Sequence, residues 1–101
     1  FSMDDETSMG ALQAIVEANR TDVKAITGGG GCQAYFNLMN EEQYQNIWVC
    51  SATYLPNMII NCVENAAAIL NGETVEHEIV LESSIVDREN VQDFLNADSP
   101  Y

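Results

Sequence analysis

The chain has 101 residues, of which 47% are hydrophobic, so it is long enough for one small core and is globular rather than disordered in composition. Sixteen acidic residues stand against three basic ones, and the resulting formal charge of −13 disfavours binding to nucleic acid or to anionic lipid. No apolar run reaches the roughly 20 residues that a membrane-spanning helix needs.

The first residues and the cysteines bear on whether the chain is a fragment and whether it has a metal or cofactor site. The chain begins Phe1-Ser2-Met3, without an initiator methionine or a signal-peptide pattern, which predicts a piece of a longer protein. Cys32, Cys50 and Cys62 form no CxxC pair and no zinc-type spacing, and each has apolar neighbours. No metal site and no cofactor is therefore predicted, and the cysteines leave the redox compartment open.

The first elements along the chain are a helix and a strand. Residues 3–19 are predicted to be helical, because Asp4 and Asp5 can cap the first turn and apolar residues follow at helical spacing. Residues 23–27 are predicted to form a short strand, which the four glycines at 28–31 would break.

The later elements continue this alternation. Residues 32–40 predict a second helix, and the unbroken apolar run at 47–52 predicts a strand covered on both faces, as in parallel sheets. The third helix is the clearest, since Pro56 suits a first turn, an apolar stripe follows over 58–70, and Asn71-Gly72 is a typical helix end. Residues 78–86 read as extended, and Asp87 can cap a last short helix before the tail.

Alternating helices and strands predict an α/β fold, a three-layer, mostly parallel sheet flanked by helices. We expect the strands at 23–27 and 47–52 to be parallel neighbours, with the helix at 58–70 packed on one face of the sheet. Ligands of such sheets bind beyond the carboxyl ends of the strands, which makes the loops at 2–6, 28–31 and 51–55 the candidate ligand loops.

Four segments in chain order resemble motifs of the ribose- and galactose-type periplasmic substrate-binding proteins. Residues 3–11 resemble A-N-D-x-M-A-x-G-A, residues 23–30 resemble V-x-V-V-G-F-D-G, residues 63–73 resemble V-E-A-A-x-x-L-L-N-G-E, and residues 85–91 resemble L-V-T-K-E-N-V. The resemblance implies that residues 1–95 are part of the C-terminal lobe of a type I periplasmic-binding-protein-like fold, with 96–101 a flexible tail. The first lobe and the hinge strands would lie outside this chain.

The same resemblance implies a set of ligand-binding residues. Asp4 stands where the family has an asparagine that hydrogen-bonds sugar hydroxyls, and a carboxylate also accepts such bonds. Gly28 and Gly29 stand where the family has an aromatic residue and a ligand-binding aspartate, and Thr53 stands where it has a glutamine. Tyr54 is a candidate for stacking on a sugar ring. The expected ligand-binding residues are Asp4, Asp5, Gly28, Gly29, Thr53 and Tyr54.

The function implied is the substrate-binding component of an ABC importer, which binds a sugar or similar small polar ligand, signals to a membrane permease and performs no catalysis. Its location would be periplasmic, or extracellular and lipid-anchored. The alternative is the effector-binding domain of a lac-repressor-type transcriptional regulator, which shares the fold. A signal peptide upstream of Phe1 would favour the first function and a helix-turn-helix the second. An open sheet edge and exposed apolar area in such a fragment also predict self-association.

Overall fold

A computed structural model of the protein describes residues 1–54, 56 and 58–101 and forms a small α/β unit with a three-stranded mixed sheet. In chain order the elements are α1 (Asp5–Glu17), β1 (Ala25–Gly30), α2 (Gln33–Met39), β2 (Trp48–Thr53), α3 (Met58–Leu70) and β3 (Ile85–Asp87), with short 3-10 turns at Glu42–Tyr44 and Val91–Phe94. The predicted α/β class is confirmed at this level.

The sheet combines one parallel and one antiparallel pair. β1 and β2 pair in parallel, from Ala25 opposite Trp48 to Gly30 opposite Thr53, which confirms the predicted parallel neighbours. β3 is antiparallel to β2, so the sheet is mixed. We call the side where β1 and β2 end the carboxyl edge, and the side where they begin the amino edge.

The glycine run does not break the first strand, contrary to the sequence-based prediction. Gly28, Gly29 and Gly30 continue the ladder opposite residues 51–53 of β2. The chain leaves the strand only at Gly30 and Gly31, whose positive φ angles of 124° and 92° are conformations that favour glycine. Within the strand itself, glycine is needed at position 28, because side chains from both α1 and α2 approach too closely to leave room for a β-carbon there.

One hydrophobic cluster holds α1, α2 and the sheet together. Its buried members come from every element except α3, and include Leu12, Ile26, Tyr35, Phe36, Met39, Val49, Val86 and Val91. The aromatic rings of Phe36 and Phe94 meet edge to face with centroids 6.4 Å apart, which attaches the last turn to α2.

The helix α3 does not pack on the sheet, and this prediction was wrong. None of its residues is buried, and Ile59, Ile60, Val63, Ile69 and Leu70 all expose more than half of their surface. The chain is accordingly elongated, with a radius of gyration of 17.2 Å, whereas a compact chain of this length has one of about 13 Å. The apolar stripe was read correctly as a helix, but no face of this sheet covers it.

We expect the chain to self-associate through α3. The accessible surface area of the whole chain is 7019 Å², whereas a compact chain of 11.1 kDa exposes roughly 5,700 Å². The difference exceeds the roughly 800 Å² that each partner buries in a standard interface. Glu64 is the one charged residue of α3, so the pairing of two such helices meets little charge repulsion despite the high net charge.

Size-exclusion chromatography with light scattering is the measurement, made in reducing agent because Cys62 is exposed. Val63→Lys places a charge in the middle of the stripe and is expected to shift the chain toward the monomer. Gln92→Lys makes the same addition of charge at an exposed position outside α3 and should leave the association unchanged. A monomer at high concentration in all three proteins would contradict the expectation.

Candidate functional site

A cavity of about 440 Å³ lies at the carboxyl edge of the sheet, where the sequence predicts the ligand loops. The end of β1, the residue after β2, the first turns of α3 and the start of α1 form its walls. The residues that matter for its chemistry are Glu6, Gly29, Gly30, Tyr54, Ile59 and Tyr101. Its surface is largely apolar and aromatic, with one carboxylate.

Asp4 caps helix α1, as the sequence predicts. Its carboxylate oxygen Oδ1 accepts a hydrogen bond of 2.7 Å from the backbone N–H of Thr7. The side chain of Thr7, and then its N–H, hold the pKa of Asp4 below the ordinary value, so this carboxylate is ionised at neutral pH. Asp4 directly precedes α1 as its N-cap, and it is not among the residues that line the cavity.

Asp5, the next residue, is completely buried in the protein. Its Oδ2 accepts three hydrogen bonds: from the backbone N–H of Gly31 at 2.9 Å, from that of Cys32 at 2.8 Å, and from the hydroxyl of Ser51 at 2.9 Å. We call these four residues the Asp5 latch. The latch joins α1, the loop after β1 and β2, so Asp5 supports the cavity from beneath and does not face it.

Burial also raises the pKa of Tyr35, which lies beside the Asp5 latch. Tyr35 is fully buried, and this burial, reinforced by the negative charge of Asp5, raises the pKa of its phenol to about 12. The phenol therefore stays neutral. Gly28 lies between this ring and Asp5, where a β-carbon would be 2.9 Å from Cε1 of Tyr35, so Gly28 is a packing position beneath the site.

Gly29 and Tyr54 are the two predicted ligand-binding residues that line the cavity. A β-carbon at Gly29 would be 3.1 Å from Cε1 of Tyr54, so the tyrosine ring fills the space that a side chain at position 29 would enter. Tyr54 is half exposed, and its ring is accessible from the cavity. Gly29 and Tyr54 thus complement each other, a pairing that the sequence alone does not reveal.

Thr53 is buried and is engaged by the chain that precedes β3. Its hydroxyl donates to the carbonyl oxygen of Ser84 at 3.3 Å and accepts from the N–H of Ser84 at 2.9 Å, while Ser83 donates to the Thr53 carbonyl at 2.7 Å. These bonds tie the start of β3 to the end of β2. In this arrangement Thr53 fixes the edge of the site, and its hydroxyl has partners within the chain.

Sequence reasoning did not identify Glu6 and Tyr101 as site residues. The phenol of Tyr101 donates to Oε1 of Glu6 at 2.9 Å, and this hydrogen bond with the nearby negative charge raises the pKa of Tyr101. Pro100 accepts from the N–H of Gln33 at 2.9 Å, which brings the end of the chain to this edge. No local pattern links residues 95 positions apart, so only the fold could reveal this pair.

Within residues 1–54, 56 and 58–101, no group of three or more histidine, cysteine or acidic side chains is arranged to hold a metal ion. Cys32, Cys50 and Cys62 are all free. In the same residues, no helix has both the length and the apolar character that crossing a membrane requires.

The sequence matches no protein-family model and no curated protein. The likeness to sugar-binding proteins therefore depends on the four sequence motifs described above.

Proposed function

We propose that this chain forms one wall of the ligand cleft of an ABC-importer substrate-binding protein, within the C-terminal lobe of a type I periplasmic-binding-protein-like fold. The ligand would be a sugar or a similar small polar molecule, and the partner a membrane permease. The observation that carries this proposal is spatial: residues from all three loops that the strand topology predicts to bind a ligand border a single cavity, at the carboxyl edge of a parallel strand pair.

The chemistry of the wall supports such a ligand. A sugar offers hydroxyl groups that need acceptors and donors, and an apolar ring face that stacks on aromatic side chains. The carboxylate of Glu6 is an acceptor, the Tyr54 ring is half exposed, and Ile59 adds apolar surface. The cavity is open on one side, so tight binding requires a second wall, which we propose is a further lobe of the complete gene product.

The test is a ligand screen on the complete gene product. Thermal shift and calorimetry with a panel of monosaccharides and small polyols should identify a compound that binds and stabilises the protein. A helix-turn-helix upstream of Phe1, together with operator binding that responds to the same compound, would establish the regulator alternative. Failure of every compound in the panel would reject the proposal.

Replacing Asp4 is expected to weaken ligand binding. Loss of a hydrogen bond from a sugar hydroxyl to this carboxylate should reduce affinity roughly tenfold to a hundredfold, or about 1.5–3 kcal/mol. Asp4→Ala also removes the cap of α1, which should cost about 1 kcal/mol of stability. Calorimetry on the complete gene product is the measurement.

Two further variants separate capping from binding. Asp4→Ser retains a capping oxygen but has a shorter side chain, so it should lose affinity without losing stability. Asp4→Asn, the residue that the family motif has, should retain both. Unchanged affinity in Asp4→Ala would mean that Asp4 acts only as a helix cap.

A further inference from the structure

We infer that the cavity at the carboxyl edge selects its ligand by charge: it takes a hydroxylated molecule that carries a protonated amine, such as an amino sugar, and rejects anionic sugars. This inference rests on the proposed function, because it specifies the class of ligand for the same site. Three features of the described residues support it: the location of the basic side chains, the state of the helix N-termini, and the groups that line the cavity.

Two of the three basic side chains lie at the amino edge, on the far side of the sheet from the cavity. Lys24 directly precedes β1, and its ammonium donates to the carbonyl of Thr21 at 2.9 Å. Arg20 lies between α1 and β1 and pairs with Asp22 at 2.6 Å. Neither residue lines the cavity.

The third, Arg88, is directed away from the cavity by the antiparallel course of β3. Because β3 starts beside the end of β2 and runs backwards, the residue that follows it lies at the amino edge. There the guanidinium of Arg88 donates to the carbonyls of Met39 at 2.7 Å and Tyr44 at 3.1 Å. His77 is exposed in the segment between α3 and β3 and is not among the cavity residues. Among the residues that the structure describes, the cavity thus has no basic side chain to pair with an anionic ligand.

Free N–H groups at helix N-termini are the usual alternative for binding an anion. Among the described residues, acceptors of the chain itself already bind several of these N–H groups. Asp4 accepts from the first turn of α1 at 2.7 Å, and Asp5 accepts the N–H groups of Gly31 and Cys32 that precede α2. At the start of α3, the N–H of Ile59 donates to the carbonyl of Pro56 at 3.3 Å. These bonds reduce the number of N–H groups that remain open to an anionic ligand, and Glu6 in the cavity wall would repel it.

The groups that remain in the wall attract positive charge. Glu6 is exposed and lines the cavity together with Tyr54 and Tyr101, whose phenol donates to its Oε1. An ammonium group can donate to this carboxylate and lie against an aromatic face, and both contacts are favourable. The net charge of −13 further raises the local concentration of cations. The ring hydroxyls of the same ligand would be left for the backbone groups of Gly29 and Gly30 at the end of β1.

The test compares three probes that share a pyranose ring and differ in charge: glucosamine, glucose and glucuronate. Each is titrated into the isotope-labelled 101-residue chain at neutral pH, and amide shifts are followed by NMR. Glucosamine should shift Gly29, Gly30 and Tyr54 with an affinity about three- to tenfold above that of glucose, the effect of one or two exposed charge contacts. Glucuronate should bind most weakly.

Matched variants assign the effect to one carboxylate. Glu6→Gln should abolish the advantage of glucosamine over glucose, and added salt should reduce that advantage in the unaltered chain. Glu42→Gln makes the same change of charge at an exposed position before β2, at the amino edge, and should leave the advantage intact. The same probes are then measured by calorimetry on the complete gene product.

The outcomes separate the two proposals. Equal binding of the three probes, or preferred binding of glucuronate, would overturn the selection by charge and leave sugar binding in place. An advantage of glucosamine that survives in Glu6→Gln would also overturn it. The absence of any shift in this chain and of any binding by the complete product, across these probes and the wider sugar panel, would overturn the proposed function itself.

Discussion

Asp5→Ala should lower the free energy of unfolding by about 3–5 kcal/mol, the largest effect expected of any single substitution in this chain. The carboxylate is fully buried and holds three donors, the N–H groups of Gly31 and Cys32 and the hydroxyl of Ser51. Alanine leaves the Cys32 N–H and the Ser51 hydroxyl without this acceptor, and the Gly31 N–H retains only its longer bond of 3.3 Å to Oγ of Ser51. Each unsatisfied buried donor costs about 1–3 kcal/mol. The free energy of unfolding of a small domain is only about 5–15 kcal/mol in total, so much of the native population should be lost.

Denaturant unfolding followed by circular dichroism measures this effect. Asp5→Asn retains the shape and one acceptor oxygen and should cost less than alanine, and Ser51→Ala, which removes a single donor, should cost least of the three. Glu42→Ala removes an exposed carboxylate and provides the baseline for losing a charge. If Asp5→Ala unfolded at the same denaturant concentration as Glu42→Ala, the latch would have no energetic role.

The second large effect is expected of Gly28→Ala, at about 2–4 kcal/mol of destabilisation. The added β-carbon would lie 2.3 Å from Oδ1 of Asp5, 2.9 Å from Cε1 of Tyr35 and 3.0 Å from Oγ of Ser8. All three side chains are buried, so none can move aside into solvent. Either the strand or the carboxylate must shift, and a shift of the carboxylate weakens the latch.

Gly10→Ala is the matched control because it makes the same chemical change in α1. A β-carbon at Gly10 would meet nothing within 4 Å, and alanine is the better helix former by up to about 1 kcal/mol. The two glycine substitutions should therefore change stability in opposite directions in thermal unfolding. Similar melting temperatures for both variants would indicate that the close packing around Gly28 is relieved at little cost.

Local patterns were sufficient for much of the fold. The capping carboxylate of Asp4, the apolar spacing in α1 and α2 and the apolar run of β2 are encoded within a few residues, and each led to the correct element. The glycines were misread because glycine discourages a strand locally, whereas Gly28 is required by side chains that arrive from two other elements. That requirement exists only in the folded chain.

The candidate site was predictable at the level of loops but not of side chains. Topology identifies the carboxyl edge, yet Asp4 and Asp5 are adjacent acidic residues, and nothing in the sequence indicates which of them faces a ligand. Asp4 is the N-cap, with an extended backbone, whereas Asp5 is the first helical residue, so their side chains take different directions and only Asp5 is buried. Which one turns inward depends on the donors at Gly31 and Cys32, far along the chain. The pairing of Glu6 with Tyr101 depends on the fold in the same way.

The isolation of α3 has a thermodynamic consequence. A helix of 13 residues without tertiary support is marginal in water, because nucleation is costly and little side-chain burial offsets the loss of chain entropy. The helix–coil equilibrium of α3 is therefore coupled to whatever covers its apolar stripe. Any surface that binds this stripe must also stabilise the helical form of α3 against its frayed states. Part of the free energy of the contacts therefore offsets the cost of ordering the segment. The apparent affinity of this face is correspondingly lower than its exposed apolar area alone would indicate.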